Sequence, residues 1–311
     1  MYDSLMKHAK SFHLYVFAFD QNCFEILSEL NLPNLTPVSL RDFEDPQLLS
    51  VKTERSRAEY CWTCTSSTIR YVLQNFPVDH CIYIDADMQF FHDPHILLKE
   101  MAPDKSVLIT PHNYTPYYDQ SGARGRYCVQ FMYFRKDECG LKVLGEWRED
   151  CLDWCYARVE DGKFGDQKYL DSWQSRYNCV HELKHKGGGI APWNCQQYDF
   201  EEAGGKLAAT WKPEGITYEF VFFHFHGVKL FLNHKAVFAP RSYQLGRKVR
   251  DLFYKPYLEL LLQKERELQH LFPGLDPNGK LSVGEYVRQK YLQGHFSWIK
   301  RNLAGRFIQW R

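Results

Sequence analysis

No run of about 18 apolar residues occurs in this chain of 311 residues, so no helix is expected to cross a membrane. The N-terminus lacks the charged, apolar and small-residue series of a signal peptide, and a cytoplasmic location is expected. The formal net charge is only +1, so no bulk charge draws the chain to nucleic acid, and no nucleic-acid partner is expected. A Gly-rich phosphate loop with a basic residue near the start is also missing. That absence argues against a metal-dependent nucleotidyltransferase.

What is present is ordinary for a globular enzyme in two respects: 44% hydrophobic and 25% charged residues. Aromatic content, at 16%, is high. Aromatic rings build cores and also make platforms for sugar rings. The ten cysteines lie largely inside expected strands and helices, without a secreted-type framework. They read as reduced, buried thiols. Cys61 and Cys64 have a zinc or redox spacing, and Cys151 and Cys155 are one helical turn apart. Both pairs fall in helix-like apolar patterns, so core packing is the simpler reading.

The chain is organised around His80–Pro94. Cys81 to Ile84 reads as a strand buried on both faces, as in a parallel sheet. Asp85 and Asp87 follow at once and share a face by the period-two rule. Ligands of open α/β sheets sit beyond the carboxyl ends of strands. Paired carboxylates there suit Mg²⁺ or Mn²⁺ with phosphate oxygens. The competing reading is a solvated strand end.

Around this stretch a β-α-β rhythm is legible. Met1 to Lys10 reads as helix, His13 to Phe19 as strand, Gln21 to Leu30 as helix and Leu35 to Leu40 as strand. Asp45 to Phe76 is mainly helix, with Asp45 as N-cap and Pro46 in its first turn. Buried strands are expected at Ser106 to Thr110 and Tyr127 to Arg135, joined by a long loop, Asn113 to Arg126, that carries tyrosines and two arginines. A helix spans Leu141 to Val159. Gly165-Asp166-Gln167-Lys168 opens a short helix, and Val180 to Leu183 is a strand. Gly187, Gly188 and Gly189 suit either close approach of backbone to a ligand or a plain turn. Tyr218 to Phe225 is an aromatic strand running into His224-Phe225-His226-Gly227-Val228-Lys229, where the two histidines share a face. They read either as metal ligands beside the carboxylates or as a hydrogen-bonded strand end.

From Arg241 the character changes. Arg247 to Leu271 is a charged amphipathic helix. Asp276 to Glu285 partly fits a calcium loop but has Gly274 at its first position, so it reads as a turn with Ser282 as N-cap. Phe296 to Arg311 reads as a basic aromatic amphipathic helix, suited either to an anionic membrane face or to packing. Two regions follow: residues 1–240, and a helical extension, 241–311.

Taken together, the anchors resemble nucleotide-sugar glycosyltransferases of the GT-A fold, in particular glycosyltransferase family 8 and related bacterial surface-polysaccharide transferases. The anchors are Tyr83-Ile84-Asp85-Ala86-Asp87, Asp166-Gln167, Pro192-Trp193-Asn194 and His224-Phe225-His226-Gly227-Val228-Lys229. The resemblance implies an α/β GT-A (Rossmann-like) fold: a mixed sheet flanked by helices. It implies Mn²⁺ or Mg²⁺ held by Asp85, Asp87 and His224 or His226. It places a nucleoside-diphosphate sugar against Asp85, Ala86, Asp87, Trp193, Asn194 and Lys229, with Asp166 and Gln167 at the transferred sugar. It further implies a glycan or lipid-linked acceptor and retention of anomeric configuration. Lys229 comes one residue early for this pattern, and Lys168 stands where family 8 often has an Asp. GT-A domains open with a strand followed by a helix. Because Met1 already lies in an expected helix, either that strand is absent or the chain is an N-terminal truncation, and a non-catalytic glycan- or nucleotide-binding domain is the alternative.

Overall fold

The computed structural model describes residues 1–232, 235–292 and 308–309. The chain opens with α1 (Tyr2–His8), β1 (Leu14–Ala18), α2 (Gln21–Leu30) and β2 (Leu35–Ser39). Asp20 ends β1 and caps α2, its carboxylate accepting the Cys23 N–H at 2.8 Å. Asn31, in the left-handed region, terminates the helix. β1 and β2 pair in parallel, from Leu14–Leu35 to Ala18–Ser39. A strand followed by a helix is therefore present as β1–α2, where the periodicity places them.

The expected helix from Asp45 to Phe76 is two, α4 (Pro46–Lys52) and α5 (Arg57–Asn75), and a short helix precedes them, α3 (Leu40–Phe43). Asp45 caps α4 through the Leu48 N–H. Ser56 and Glu59 then form a capping box, each side chain accepting the other's backbone N–H, and this restarts the chain as α5.

Next come β3 (His80–Ile84), β4 (Met88–Phe90), a 3-10 turn at Pro94–Glu100, β5 (Val107–Pro111), α6 (Ser121–Arg124), β6 (Tyr127–Arg135), α7 (Glu138–Asp153), α8 (Trp173–Arg176) and β7 (Val180–Glu182). Four strands form a mixed sheet in the order β3-β6-β5-β7. β6 runs antiparallel to both neighbours, and β7 runs parallel to β5. The reading of β3 as a parallel strand buried on both faces is corrected. It ends the sheet's hydrogen-bonded order and keeps partial exposure at every residue. β5, inside the sheet, is buried throughout.

The core beneath this sheet is aromatic. Phe134 stacks on Trp147 and meets Trp173 edge-on, with Ile69, Leu73 and Val143 around them. Burying each such ring contributes about 2–3 kcal/mol. Arg148, 2% exposed, donates to Ser67, Gln47 and Asp45 and so ties α7 to α4 and α5 with its charge satisfied. Cys64, Cys151 and Cys155 are buried in these cores, in line with the packing reading. Cys139 and Cys179 are not free thiols: they form a disulfide across 40 residues. The start of α7 lies beside the segment entering β7, with Cα atoms 6.5 Å apart, a proximity that spacing alone does not reveal.

The remainder holds β8 (Tyr198–Ala203), β9 (Lys206–Trp211), β10 (Ile216–Glu219), β11 (Phe222–His224), β12 (Lys229–Phe231), β13 (Lys235–Val237), α9 (Arg247–Val249), α10 (Lys255–Leu271), α11 (Val283–Leu292) and β14 (Ile308–Gln309). The aromatic strand expected from Tyr218 to Phe225 is two strands with different partners. β10 completes a meander with β9 and β8, whereas β11 pairs antiparallel with β4. Phe253, Tyr254, Tyr257 and Leu258, in and before α10, share one core with Phe220, Phe223 and Phe225. The Phe225 and Tyr257 rings stack at 3.7 Å. Lys264 of α10 also pairs with Asp3 of α1 at 2.9 Å.

Asp276 accepts the backbone N–H groups of Asn278 and Lys280, and Glu285 and Ser282 form a capping box at the start of α11. These carboxylates close a turn and cap a helix, as the sequence reading has it. Most of the tail expected as a helix lies outside the described residues; Ile308–Gln309 is a strand paired with β13. Among the described residues, no helix is long and apolar enough to cross a membrane.

Candidate functional site

The site grows from a backbone pairing. β3 ends at Ile84, Asp85 to Asp87 turn the chain, and β4 follows. β11 pairs with β4 so that His224 lies opposite Met88, and the Phe225 N–H donates to the Asp87 carbonyl at 2.8 Å. That register sets His224 and His226 beside Asp87. His224 Nε2 lies 3.0 Å from the Asp87 carboxylate and 3.7 Å from that of Asp85. Ligand atoms of Asp87, His224 and His226 all lie within 4.8 Å of one another. Nδ1 of His224 is 2.8 Å from Oε1 of Gln130. An amide oxygen only accepts, so Nδ1 carries the proton and Nε2 faces the carboxylates. Gln130, fully buried on β6, also accepts the Asp85 N–H through its carbonyl at 3.1 Å.

The electrostatics are those of a site short of positive charge. Burial pushes the Asp85 carboxyl up, and the Asp87 charge adds to it against the pull of His224. Burial acts on Asp87 too, but the charge and hydrogen bond of His224 outweigh it and hold Asp87 low. His224 is driven well above the usual histidine range: its burial is overcome chiefly by Asp87. Burial, then the His224 charge, push His226 down to about 4. Burial likewise takes His112 to about 3. Asp166 is raised to about 7 by burial, with the Asp85 charge adding and a Thr65 hydrogen bond opposing. Carboxylates that repel one another, one histidine drawn toward protonation between them and a second kept neutral beside it are what a divalent cation relieves. Mixed oxygen and imidazole donors suit Mn²⁺ or a similar ion, so the residues present fit a metal.

The other sequence candidates fall into two groups. Ala86 is exposed in the turn between the carboxylates. Asp166 is 6% exposed; its carbonyl accepts the Trp147 indole N–H at 2.8 Å. It follows Gly165, whose φ is +53° and which packs on the Trp62 ring. Tyr83 donates its hydroxyl to Asp85 at 3.0 Å. These residues gather at the cluster.

Gln167, Asn194 and Lys229 are engaged elsewhere. The Gln167 amide donates to the Arg124 carbonyl at 2.7 Å. Asn194 is fully buried, donating to the carbonyls of His112 and Gly189 and accepting the Ala191 N–H. Lys229 is exposed on β12, its ammonium 4.8 Å from the Tyr286 ring centroid. Trp193 sits between the groups: buried, it sets its ring edge-on to His224 and His226 and gives its indole N–H to the His112 carbonyl. Trp193 and Asn194 thus wall and brace the histidines.

The three glycines are buried, so they do not make a plain surface turn. A Cβ on Gly187 would lie 1.8 Å from the Glu219 carbonyl oxygen, and one on Gly188 would lie 2.9 Å from Leu97. Backbone packed under the meander requires them.

Sequence reasoning missed Gln130, His112, Thr65 and Arg124. The signal for Gln130 is present, since it is an amide inside an otherwise aromatic and apolar strand. Beside the site, under the Asn113–Arg126 loop, lies a cleft of about 510 Å³ lined in part by Asn113, Tyr114, Arg126, Lys168, Asp171 and Glu182.

No family model matches the chain. It is 29% identical over 281 residues to the "Uncharacterized protein YfnD" of Bacillus subtilis (strain 168), covering 88% of this chain and 87% of that one. It is also 29% identical over 242 residues to "Uncharacterized protein YfnF" of the same organism, covering 74% and 77% respectively. Among solved structures it is similar to the crystal structure of the glycosyltransferase GlyE in Streptococcus pneumoniae TIGR4, at a TM-score of 0.38 and 13% identity. That similarity covers 61% of this chain and 42% of the other, less than half of its length.

Proposed function

We propose that the chain is a metal-dependent glycosyltransferase that moves a sugar from a nucleoside diphosphate to a hydroxyl of a glycan or lipid-linked acceptor. One observation carries the reading: Asp85, Asp87, His224 and His226 converge beyond the end of β3 on a mixed α/β sheet. The GT-A resemblance of the ordered anchors supports it.

Asp87, His224 and His226, with Asp85 beside them, would hold Mn²⁺ or Mg²⁺, which would supply positive charge to the departing diphosphate. Gln130 keeps Nε2 of His224 free to ligate. Trp193, edge-on to both histidines, would hold their rings in place. Asp166, a carboxyl titrating at about 7 beside Asp85, would hydrogen-bond the donor sugar as acceptor or donor. The acceptor would enter by the cleft under the Asn113–Arg126 loop. Gln167 is an amide, and a poor nucleophile. Retention by a same-face displacement therefore fits better than a covalent intermediate on that residue.

The test is thermal shift against nucleoside diphosphates and their sugars, with and without Mn²⁺, followed by transfer assays on Asp87→Asn. A metal-dependent rise for one nucleotide, and loss of transfer in the variant, is the expected result. The engagement of Gln167 and Lys229 away from the cluster favours a second reading, a non-catalytic glycan-binding domain. Glycan binding that survives Asp87→Asn, with no turnover by the parent protein, would select it.

A further inference from the structure

A diphosphate at the cluster needs more positive charge than the cluster supplies. Two carboxylates cancel a divalent cation, and Lys229 stands at the Tyr286 ring. Another cation approaches from the long loop. Arg124 ends α6 and is exposed; its guanidinium carbon lies 5.3 Å from the Phe164 ring centroid. No carboxylate among the described residues pairs with it. The loop that carries it lies against the wall of the site: Gln120 donates to the Tyr243 hydroxyl at 3.5 Å, and the Tyr243 ring packs on Trp193, which meets both histidines.

The position of Arg124 is built, not incidental. Gln167 donates its amide to the Arg124 carbonyl at 2.7 Å. The Lys168 ammonium donates to the carbonyls of Ser121 and Gly122 and to Asp171. Asp171 in turn accepts the Arg126 N–H at 2.7 Å. Gly125 has φ +107° and lies so close that a Cβ would stand 3.4 Å from the Lys168 Cα. The segment following Asp166 therefore grips the loop on both sides of Arg124.

We propose that Arg124 binds the diphosphate of the donor, and that Gln167, Lys168 and Asp171 form a latch that holds it over the metal cluster. The identity of the anion rests on the glycosyl-donor reading. A planar guanidinium offers a bidentate fork to phosphate, which an ammonium does not. Gln167 and Lys168 then act on the ligand only through the loop, as positioning residues.

The experiment is calorimetric titration of inorganic pyrophosphate into the whole protein, with and without Mn²⁺, alongside Mn²⁺ alone. Arg124→Gln should weaken pyrophosphate binding roughly tenfold or more and leave Mn²⁺ binding unchanged. Lys168→Met should shift pyrophosphate binding in the same direction. Arg158→Gln, which removes an equal charge from a residue paired with Glu160, should not. Unchanged pyrophosphate binding in Arg124→Gln, or a loss in Lys229→Gln instead, would overturn the proposal. So would parent protein that binds pyrophosphate under neither condition. Failure of the parent to bind Mn²⁺ would sink the metal reading, while the metal-free titration would still read Arg124.

Discussion

His224 donates its Nδ1 proton to the side-chain oxygen of Gln130 at 2.8 Å, across 94 residues of chain. Outer partners of this kind fix a histidine's tautomer and ring plane, and their loss costs metal affinity by about 10- to 100-fold. Gln130→Met is expected to weaken Mn²⁺ binding by that factor. It also leaves a buried N–H unpaired, at a cost of about 1–3 kcal/mol of stability. Titration calorimetry and denaturant melts check the two effects. Unchanged Mn²⁺ affinity would mean that the ring is held by packing against Trp193 alone.

Asp87 lies 3.0 Å from His224 and within 4.8 Å of a His226 nitrogen, whereas Asp85 is 3.7 Å from His224 and accepts the Tyr83 hydroxyl. Asp87→Asn is therefore expected to abolish Mn²⁺ binding and to reduce any sugar transfer by about 100-fold or more. Asp87→Glu should recover part of the binding. Equal Mn²⁺ affinity in parent and Asp87→Asn would remove the metal from the site.

The chain has ten cysteines, and one pair is joined. Thiol titration in denaturant without reductant should count eight, rising to ten after reduction. The double variant Cys139→Ser, Cys179→Ser should lose about 2–4 kcal/mol relative to the oxidised protein. Ten thiols before reduction would restore the all-reduced reading.

Glu182 is 6% exposed and gives its carboxylate to Arg126, Tyr127 and Lys184. Burial alone would raise its pKa, but hydrogen bonds from Lys184 and Tyr127 and the neighbouring positive charges hold it below the usual glutamate range. A depressed folded-state value means stability that is fully present above the unfolded value, about 4.3. That stability is lost as pH falls through the folded value. Urea melts from pH 7 downward should show the loss beginning below about pH 5. Glu182→Gln should be less stable at neutral pH and show a smaller acid-dependent loss; an identical pH slope would assign that loss to other carboxylates.

Local patterns carried much of this far. α2 and β6 fall where periodicity puts them because caps and alternation are written in neighbouring residues: Asp20 before α2, and alternating aromatics from Tyr127 to Arg135. Asp85, Asp87, His224 and His226 were legible because each pair stands two residues apart where a strand ends, although Asp87 and His226 lie in turns. What failed was partnership at a distance. Nothing near Cys81 tells whether β3 pairs in parallel, and nothing near Phe220 tells that one aromatic run serves two sheets. Gln167 and Lys229 carry suitable chemistry but point it at Arg124 and Tyr286. Arg124 gains meaning only when the loop folds back onto Lys168 and Asp171.

The pairing of β4 with β11 has a consequence in time as well as in space. The cluster's carboxylate half and imidazole half belong to opposite ends of the α/β body and meet only when Met88 and His224 come into register. Contacts so far apart in sequence are costly to close and tend to form late. A nascent or clipped chain that ends before Phe222 lacks both histidines and so has no ion trap. Metal capture would then report completion of the fold: an ion bound to the finished chain alone pulls the equilibrium toward it. Scarcity of such an ion would then lower the share of chains in the finished fold.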